Sequence, residues 1–441
     1  MNPNQPHASM STQVLIVGGG IGGLTLAAMC RRIGVSCRVL ERSAALEPVG
    51  AGISLAPNAL RALDQIGLYD YVLQEGQPVR KIRVYRNQTQ WSEIDFQWLE
   101  RTFGYPVYSI ERHGFHRRLY DAAGGSETVI LGAEVAKVIP PQEEAEGVSV
   151  VLKDGRRYTG NVLVGADGVR SVVRRALMAT INSPPGQSGA VGEDEDAADV
   201  IQFTGRVHLS GYTHPLDHLG PADEGIAHWM LYDRSILTTW PCRDHRQWFV
   251  GAVPSKLKDP NRSVWKHADH NTINQVYGSE YHPFAPDFHF RDVVKHAERV
   301  VASDVFHQTT FPPMAAGRIA LLGDASHAMT SFFGQGACQA IEDATELASA
   351  LGMIDVRPTD AETILQGYRH SRERRGRDLV VFSDRFALLH TGRLLGSWGP
   401  FVRQMVYTWM PLWGWKWALQ WLYGHQPTLV EQRNEAAKKT A

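Results

Sequence analysis

The sequence predicts a mixed α/β chain: a parallel-sheet domain interrupted by an inserted, mostly antiparallel β-sheet and followed by C-terminal helices. Three observations predict it. The β-branched run Gln13–Val17 enters a glycine cluster, Ile21–Ile33 then reads as a helix, and Ser36–Leu40 is a second strand, the order of a βαβ unit. Residues 200 to 255 alternate with period two, the pattern of a separate sheet. Beyond them an apolar strand, Ile319–Leu322, and a helix from about Gly336 to Leu351 return to the first pattern. At 441 residues the chain exceeds one ordinary core, so two or three domains share it.

The elements follow in order. After the βαβ unit, Ala56–Ile66 is an amphipathic helix with Pro57 near its start. Val79–Trp98 alternates like β-structure, and Arg112–Ala123 reads as a helix. Val148–Val164 carries a hairpin around Lys153-Asp154-Gly155 and ends in a buried strand. Asn182–Ala198, rich in Pro, Gly, Ser and acid, reads as a solvated loop at a domain boundary. No repeat of fixed period is visible.

Composition removes several classes of function. Hydrophobic residues at 43% and charged residues at 21% describe a globular protein. Forty-five basic against 46 acidic side chains leave a formal net charge of -1, which gives nucleic acid no electrostatic footing. Cys30, Cys37, Cys242 and Cys338 lack CxxC spacing, so they read as thiols in a reducing compartment, with neither a zinc site nor a disulfide framework. Met1–Ser11 is polar, lacks Lys and Arg and has no apolar run, so it reads as a loose tail and not as a secretory signal; the expected location is cytoplasmic.

Three motifs carry chemistry. Gly18-Gly19-Gly20-Ile21-Gly22-Gly23 contains G-x-G-x-x-G at Gly18, Gly20 and Gly23, between a strand and a helix. Such glycines let a pyrophosphate sit against amides at the positive end of the helix. Glu41 ends the second strand 21 residues after Gly20, where a carboxylate accepts both ribose hydroxyls of an adenosine and repels a 2′-phosphate. Downstream, Gly323-Asp324 follows the strand Ile319–Leu322, and Gly334-Gln335-Gly336-Ala337 opens a helix bearing Glu342 and Asp343. Two glycine turns so far apart suggest one extended cofactor held at both ends. The third motif, Gly165-Ala166-Asp167-Gly168, also follows a buried strand, although Asp-Gly alone is most often a turn.

Together these motifs resemble the class A flavoprotein monooxygenases, the family of para-hydroxybenzoate hydroxylase and salicylate hydroxylase, from about Val14 to Asp343. The resemblance implies a Rossmann-like FAD-binding domain in three parts, 11–80, 106–181 and 301–372, with substrate-domain residues at 81–105 and 182–300 and a helical segment at 373–441. It implies FAD, with Gly18, Gly20 and Gly23 at the pyrophosphate, Glu41 on the adenosine ribose, Arg112 contacting the cofactor and Asp324 on the ribityl chain. Gly336 and Ala337 would offer amides to the isoalloxazine, Gly52 of the Gly50–Ile53 loop would approach it, and Asp167 would serve both FAD and NAD(P)H. Arg42, beside Glu41, either meets the adenine end or is solvated. In this family NAD(P)H reduces FAD, and a flavin C4a-hydroperoxide delivers one oxygen atom to an electron-rich carbon. The chain departs from the pattern at Ser331, where the family usually places a proline. It has no second G-x-G-x-x-G and therefore no separate NAD(P)H domain.

The expected substrate is an aromatic or otherwise electron-rich small molecule of secondary metabolism, with O2 as co-substrate; epoxidation of an isoprenoid or polyketide is the alternative. A group to deprotonate it is sought on the second sheet among His208, Tyr212, His228 and Tyr232. His228 and Tyr232 rank first because strand alternation puts them on one face, with Met230 between. His327 reads as a structural histidine of the flavin loop. A non-enzymatic prenyl-binding relative would have little use for Glu41, Asp324 and the Gly334–Ala337 turn. Monomer and homodimer both remain open.

The C-terminal segment holds six of the 12 tryptophans, and Trp409, Trp413, Trp417 and Trp421 follow i,i+4 spacing. Lys416, Pro411 and Gly414 argue against a transmembrane span. Two readings remain: helices covering the back of the domains, or an interfacial helix making peripheral membrane contact.

Overall fold

The computed structural model describes residues 11–48, 50–141, 147–182, 191–192, 200–233, 235–255, 266–267, 270–330, 334–353 and 360–430. Ser331, the tail to residue 10, and 183–190 and 193–198 of the acidic stretch lie outside the described residues.

A nucleotide-type sheet forms first in the chain and closes last. Ser11–Val17 lies between Cys37–Leu40 and Arg157–Gly165, parallel to both, and Ile319–Leu321 joins the far side of Arg157–Gly165, again in parallel. Val14–Ile16, Val162–Val164 and Ile319–Leu321 are buried on both faces, which is why these segments read as apolar runs without alternation. Helix Ile21–Ile33 packs on helix Gln335–Met353; a Cβ on Gly22 would meet Leu322 Cδ1 at 2.6 Å and the Ala340 Cβ at 3.0 Å. The small-residue stripe is therefore the condition for the two helices to sit this close.

The second sheet has the order Lys266–His267, Ala297–Gln308, Ile201–Thr213, Gln247–Pro254, Ile236–Pro241, Ile226–Leu231, Lys81–Arg86, Thr89–Asp95. All its pairings are antiparallel except Ile226–Leu231 with Lys81–Arg86. The division expected at 300/301 falls inside the strand Ala297–Gln308, and that expected at 372/373 falls inside the helix Ala361–His390. Trp98, read as the end of a β-stretch, belongs to the helix Gln97–Phe103. A small third sheet, Gly52–Leu55, Val107–Glu111 and Gln77–Val79, bridges the two larger ones.

One face of the second sheet turns toward the nucleotide domain and the long helix Ala361–His390. The opposite face turns toward the short helices His270–Tyr277 and Arg291–Val294. Alternation along each strand assigns every side chain to one face or the other.

Candidate active site

The parallel sheet brings its motifs to one edge. Leu40, Val17, Gly165 and Leu321 are neighbouring strand ends. Gly18 N donates to Leu40 O at 2.8 Å, Ala166 N to Val17 O at 2.8 Å and Leu322 N to Gly165 O at 3.0 Å. The glycine cluster, Glu41, Asp167 and Asp324 therefore leave the carboxyl ends of adjacent strands together, the place where open α/β sheets bind ligands.

Local geometry fits a nucleotide there. Gly18 has φ +105°, and a Cβ on it or on Gly23 would strike backbone, the carbonyl of Ala166 or of Gly18 respectively. By contrast, a Cβ on Gly20 or on Gly336 would meet nothing within 4 Å, so the two helix N-termini open onto free space. Glu41 accepts from Gly19 N at 2.6 Å through Oε2 and from Ser43 N at 2.8 Å through Oε1. Each oxygen keeps a lone pair for a ribose hydroxyl. Arg42 is exposed.

Asp324 is solvent-accessible yet set deep in this cleft. The surrounding protein raises its carboxyl, against the opposing charges of His327, Arg112 and Arg174. Arg112 opens the helix Arg112–Ala122; burial lowers it, and Asp324 and Glu111 oppose that shift. These two groups, far apart in sequence, face each other across the cleft. Asp167 is engaged differently. It accepts from Ser171 Oγ at 2.5 Å, Val172 N at 2.7 Å and Val173 N at 3.2 Å, capping the helix Val172–Asn182.

Behind the cleft lies a charged network that sequence reasoning missed. Arg372, fully buried, donates to Asp343 Oδ1 at 2.7 Å, Glu342 Oε2 at 2.6 Å and Gln339 Oε1 at 2.8 Å. Arg375 adds a second guanidinium on Glu342 at 2.8 Å. Burial works against ionising Glu342, but Arg372 and Arg375 outweigh it and hold its carboxyl down at about 2. Asp343 Oδ2 accepts from Gly323 N at 2.9 Å and bonds His327 Nε2 at 2.6 Å. Burial opposes the charged ring of His327, yet Asp343 raises its pKa above the ordinary value. The ring of His327 is held by a carboxylate, where a backbone partner was expected, and its Nδ1 is buried without a hydrogen-bond partner among the described residues. The missed signal was arginine at 372 and 375, one helical turn apart in the long helix.

The second sheet forms the opposite wall. Trp248 stacks on Trp240 at 5.5 Å, donates through Nε1 to Ser109 Oγ at 2.8 Å, and lies where a Cβ on Gly52 would fall. Tyr212, opposite Trp248 in register, packs against the guanidinium of Arg299 at 5.1 Å, and burial pushes its phenol up. Arg299 in turn donates to Gly50 O at 3.2 Å and pairs with Glu111.

His228 and Tyr232 do share a face, as the spacing required, but it is the far one. His228 packs against His282 at 5.5 Å and Phe284 at 5.3 Å, and burial with Arg83 nearby lowers it to about 3. Tyr232 donates to Tyr281 O at 2.8 Å, beside the short helices. Trp229, beside His228 on the other face, is the one aimed at the long helix, at 5.0 Å from His390. Neither His228 nor Tyr232 reaches the cleft, because alternation fixes which residues share a face and says nothing about which layer covers it.

His208 has the opposite placement. It pairs across from Ala252 and Ser303 and shares the face of Ser210 and Tyr212. Its ring is deep but accessible, and it has no hydrogen-bond partner among the described residues. Burial, then Arg206, lowers it to about 4, so it stays neutral at ordinary pH.

Comparison with known proteins agrees with this architecture. The family model described as "FAD binding domain" matches residues 11–383. The FAD-dependent monooxygenase pynG of Aspergillus niger is 99% identical over 432 residues, spanning 98% of this chain and all of that one. The FAD-dependent monooxygenase pytG of Aspergillus terreus is 51% identical over 280 residues, 63% of this chain and 80% of its own. Among solved structures, Klebsiella pneumoniae HpxO with FAD and uric acid superposes with a TM-score of 0.71 at 23% identity, over 89% of this chain and 93% of that one. A salicylate hydroxylase substrate complex gives 0.69 at 20% identity, over 95% and 99%. The chain belongs to the FAD-binding-domain family and is an FAD-dependent monooxygenase with the Rossmann-like fold of that class.

Proposed function

We propose, from that membership, that the enzyme hydroxylates an aromatic or otherwise electron-rich small molecule of secondary metabolism, with His208 accepting a hydrogen bond from the substrate's hydroxyl. Bound FAD would supply the hydride acceptor for NAD(P)H and the activation of O2. The amides of the Gly18–Gly23 turn hold the pyrophosphate at a positive helix end, and Glu41 takes the adenosine ribose. Arg112 and Asp324 grip the middle of the cofactor, and Gly336 and Ala337 turn amides toward the isoalloxazine. Gly52, without a side chain, lets the Trp248 indole close against the loop that would border the flavin. Trp248, Trp240 and Tyr212 keep water from that side of the cleft.

The carrying observation is the imidazole of His208, on the Tyr212 face of the second sheet, neutral at ordinary pH and with no hydrogen-bond partner among the described residues. A phenol or enol oxygen hydrogen-bonded to it becomes the electron-rich centre that oxygen transfer requires. Tyr212, held as a neutral phenol by burial, donates and does not accept the proton.

The test uses the purified yellow protein. Phenols, hydroxypyridines and prenylated aromatics are screened for compounds that accelerate NAD(P)H oxidation, and products are weighed. A gain of one oxygen supports the reading. Peroxide without oxygenated product from any of them overturns it, and an epoxide in place of a phenol moves the assignment to the alternative chemistry.

A further inference from the structure

The two last helices, Gly399–Trp409 and Leu412–Tyr423, are amphipathic in an unusual sense. Their inner faces are apolar and buried: Tyr407, Trp415, Leu419, Leu422 and Tyr423 join the main core. Their outer faces are apolar too. Trp409, Trp413 and Trp417 are 73%, 74% and 71% exposed, and Trp398, Phe401 and Leu412 stand out beside them. The i,i+4 stripe is split by Pro411 between two helices, yet both halves face outward.

Soluble surfaces scatter single apolar residues; a contiguous projecting cluster of tryptophans marks a surface meant to be covered. We propose that this face docks on a lipid bilayer, with the tryptophans in the headgroup region and the helices lying flat. Tryptophan is the side chain enriched at that depth, its ring apolar and its Nε1 wet. Among the described residues no helix is long and apolar enough to cross a membrane, so the contact is peripheral.

Charge selects the lipid over a second copy of the chain. Between Asp384 and Glu431 the sequence has no carboxylate. Arg385 and Arg393 are exposed on the same segment. An isologous dimer would set this acid-free face against itself, cation toward cation. An anionic bilayer complements it. The same helical layer packs on the cleft-facing side of the second sheet, through Trp229, His390 and Tyr407, so docking would hold the substrate wall close to the bilayer.

The experiment is flotation of the full-length FAD-loaded enzyme with phosphatidylcholine vesicles, with and without phosphatidylserine. The wild type floats with the serine-lipid vesicles and less as salt is raised. W409Q/W413Q/W417Q lowers the bound fraction at least about tenfold while keeping its FAD absorbance. R385E/R393E, at two exposed positions, weakens the preference for phosphatidylserine. Failure of the wild type to float with either vesicle overturns the proposal. So does flotation unchanged by the tryptophan substitutions, or a concentration-dependent dimer that those substitutions abolish.

Discussion

The carboxyl edge of the parallel sheet and the inner face of the antiparallel sheet are both walls of one cleft, but they are built from different material. At the parallel edge the groups that meet a ligand are backbone amides and carboxylates fixed at strand ends and helix starts, and Arg372, Asp343 and Glu342 lock the turn from behind. On the antiparallel face the groups are side chains projecting from mid-strand, and His208 has no hydrogen-bond partner there among the described residues. The first wall has one geometry, suited to one invariant cofactor. The second can change by substitution without disturbing the backbone, which suits it to setting what the enzyme accepts.

The sharpest way to break this contrast is to loosen the locked wall. Arg372→Leu removes the guanidinium shared by two buried carboxylates, leaving Glu342 with Arg375 and Asp343 with His327, and is expected to cost about 3–5 kcal/mol. Denaturant unfolding and FAD content of the purified variant measure it; retained stability with full FAD would show that the network does not hold the turn. Gly23→Ala places a methyl on the Gly18 carbonyl and should cost about 1–3 kcal/mol of cofactor affinity, read by flavin titration, with the second sheet left intact.

On the other wall, His208→Ala should keep the flavin spectrum and lower oxygenated product per NAD(P)H by about tenfold to a hundredfold. His228→Ala, on the far face, should leave that coupling within about twofold while lowering stability by about 1–3 kcal/mol. The reverse pattern would mean that the two faces have been exchanged. The smallest effect concerns pH. His327 is raised above its ordinary 6.5, so its pairing with Asp343 contributes fully below that value and is lost as pH rises through the raised one. FAD retention in alkaline buffers should fall accordingly, and less so in His327→Asn, which has no charge to lose.

The parallel wall was legible because its chemistry is local. Gly18, Gly20, Gly23, Glu41, Asp324 and Gly336 occupy strand ends and helix starts, positions that short apolar runs and glycine spacing reveal directly. Arg372 was not legible, since its partners lie 29 and 30 residues away and a buried arginine looks like any other in a charged helix. The same reason misdirected the choice of His228 and Tyr232 over His208. Their period-two spacing was real, but a strand's inner face is set by the layer that packs on it.

The sequence by itself determined the nucleotide fold, the flavin and the class of reaction, because backbone conformations that only glycine tolerates and carboxylates at strand ends are written into adjacent residues. Only the tertiary structure decided which histidine looks into the cleft, which arginine locks the turn and which tryptophans stay outside. Each of those depends on packing between segments brought together from far along the chain, and no local pattern encodes the partner a side chain will find.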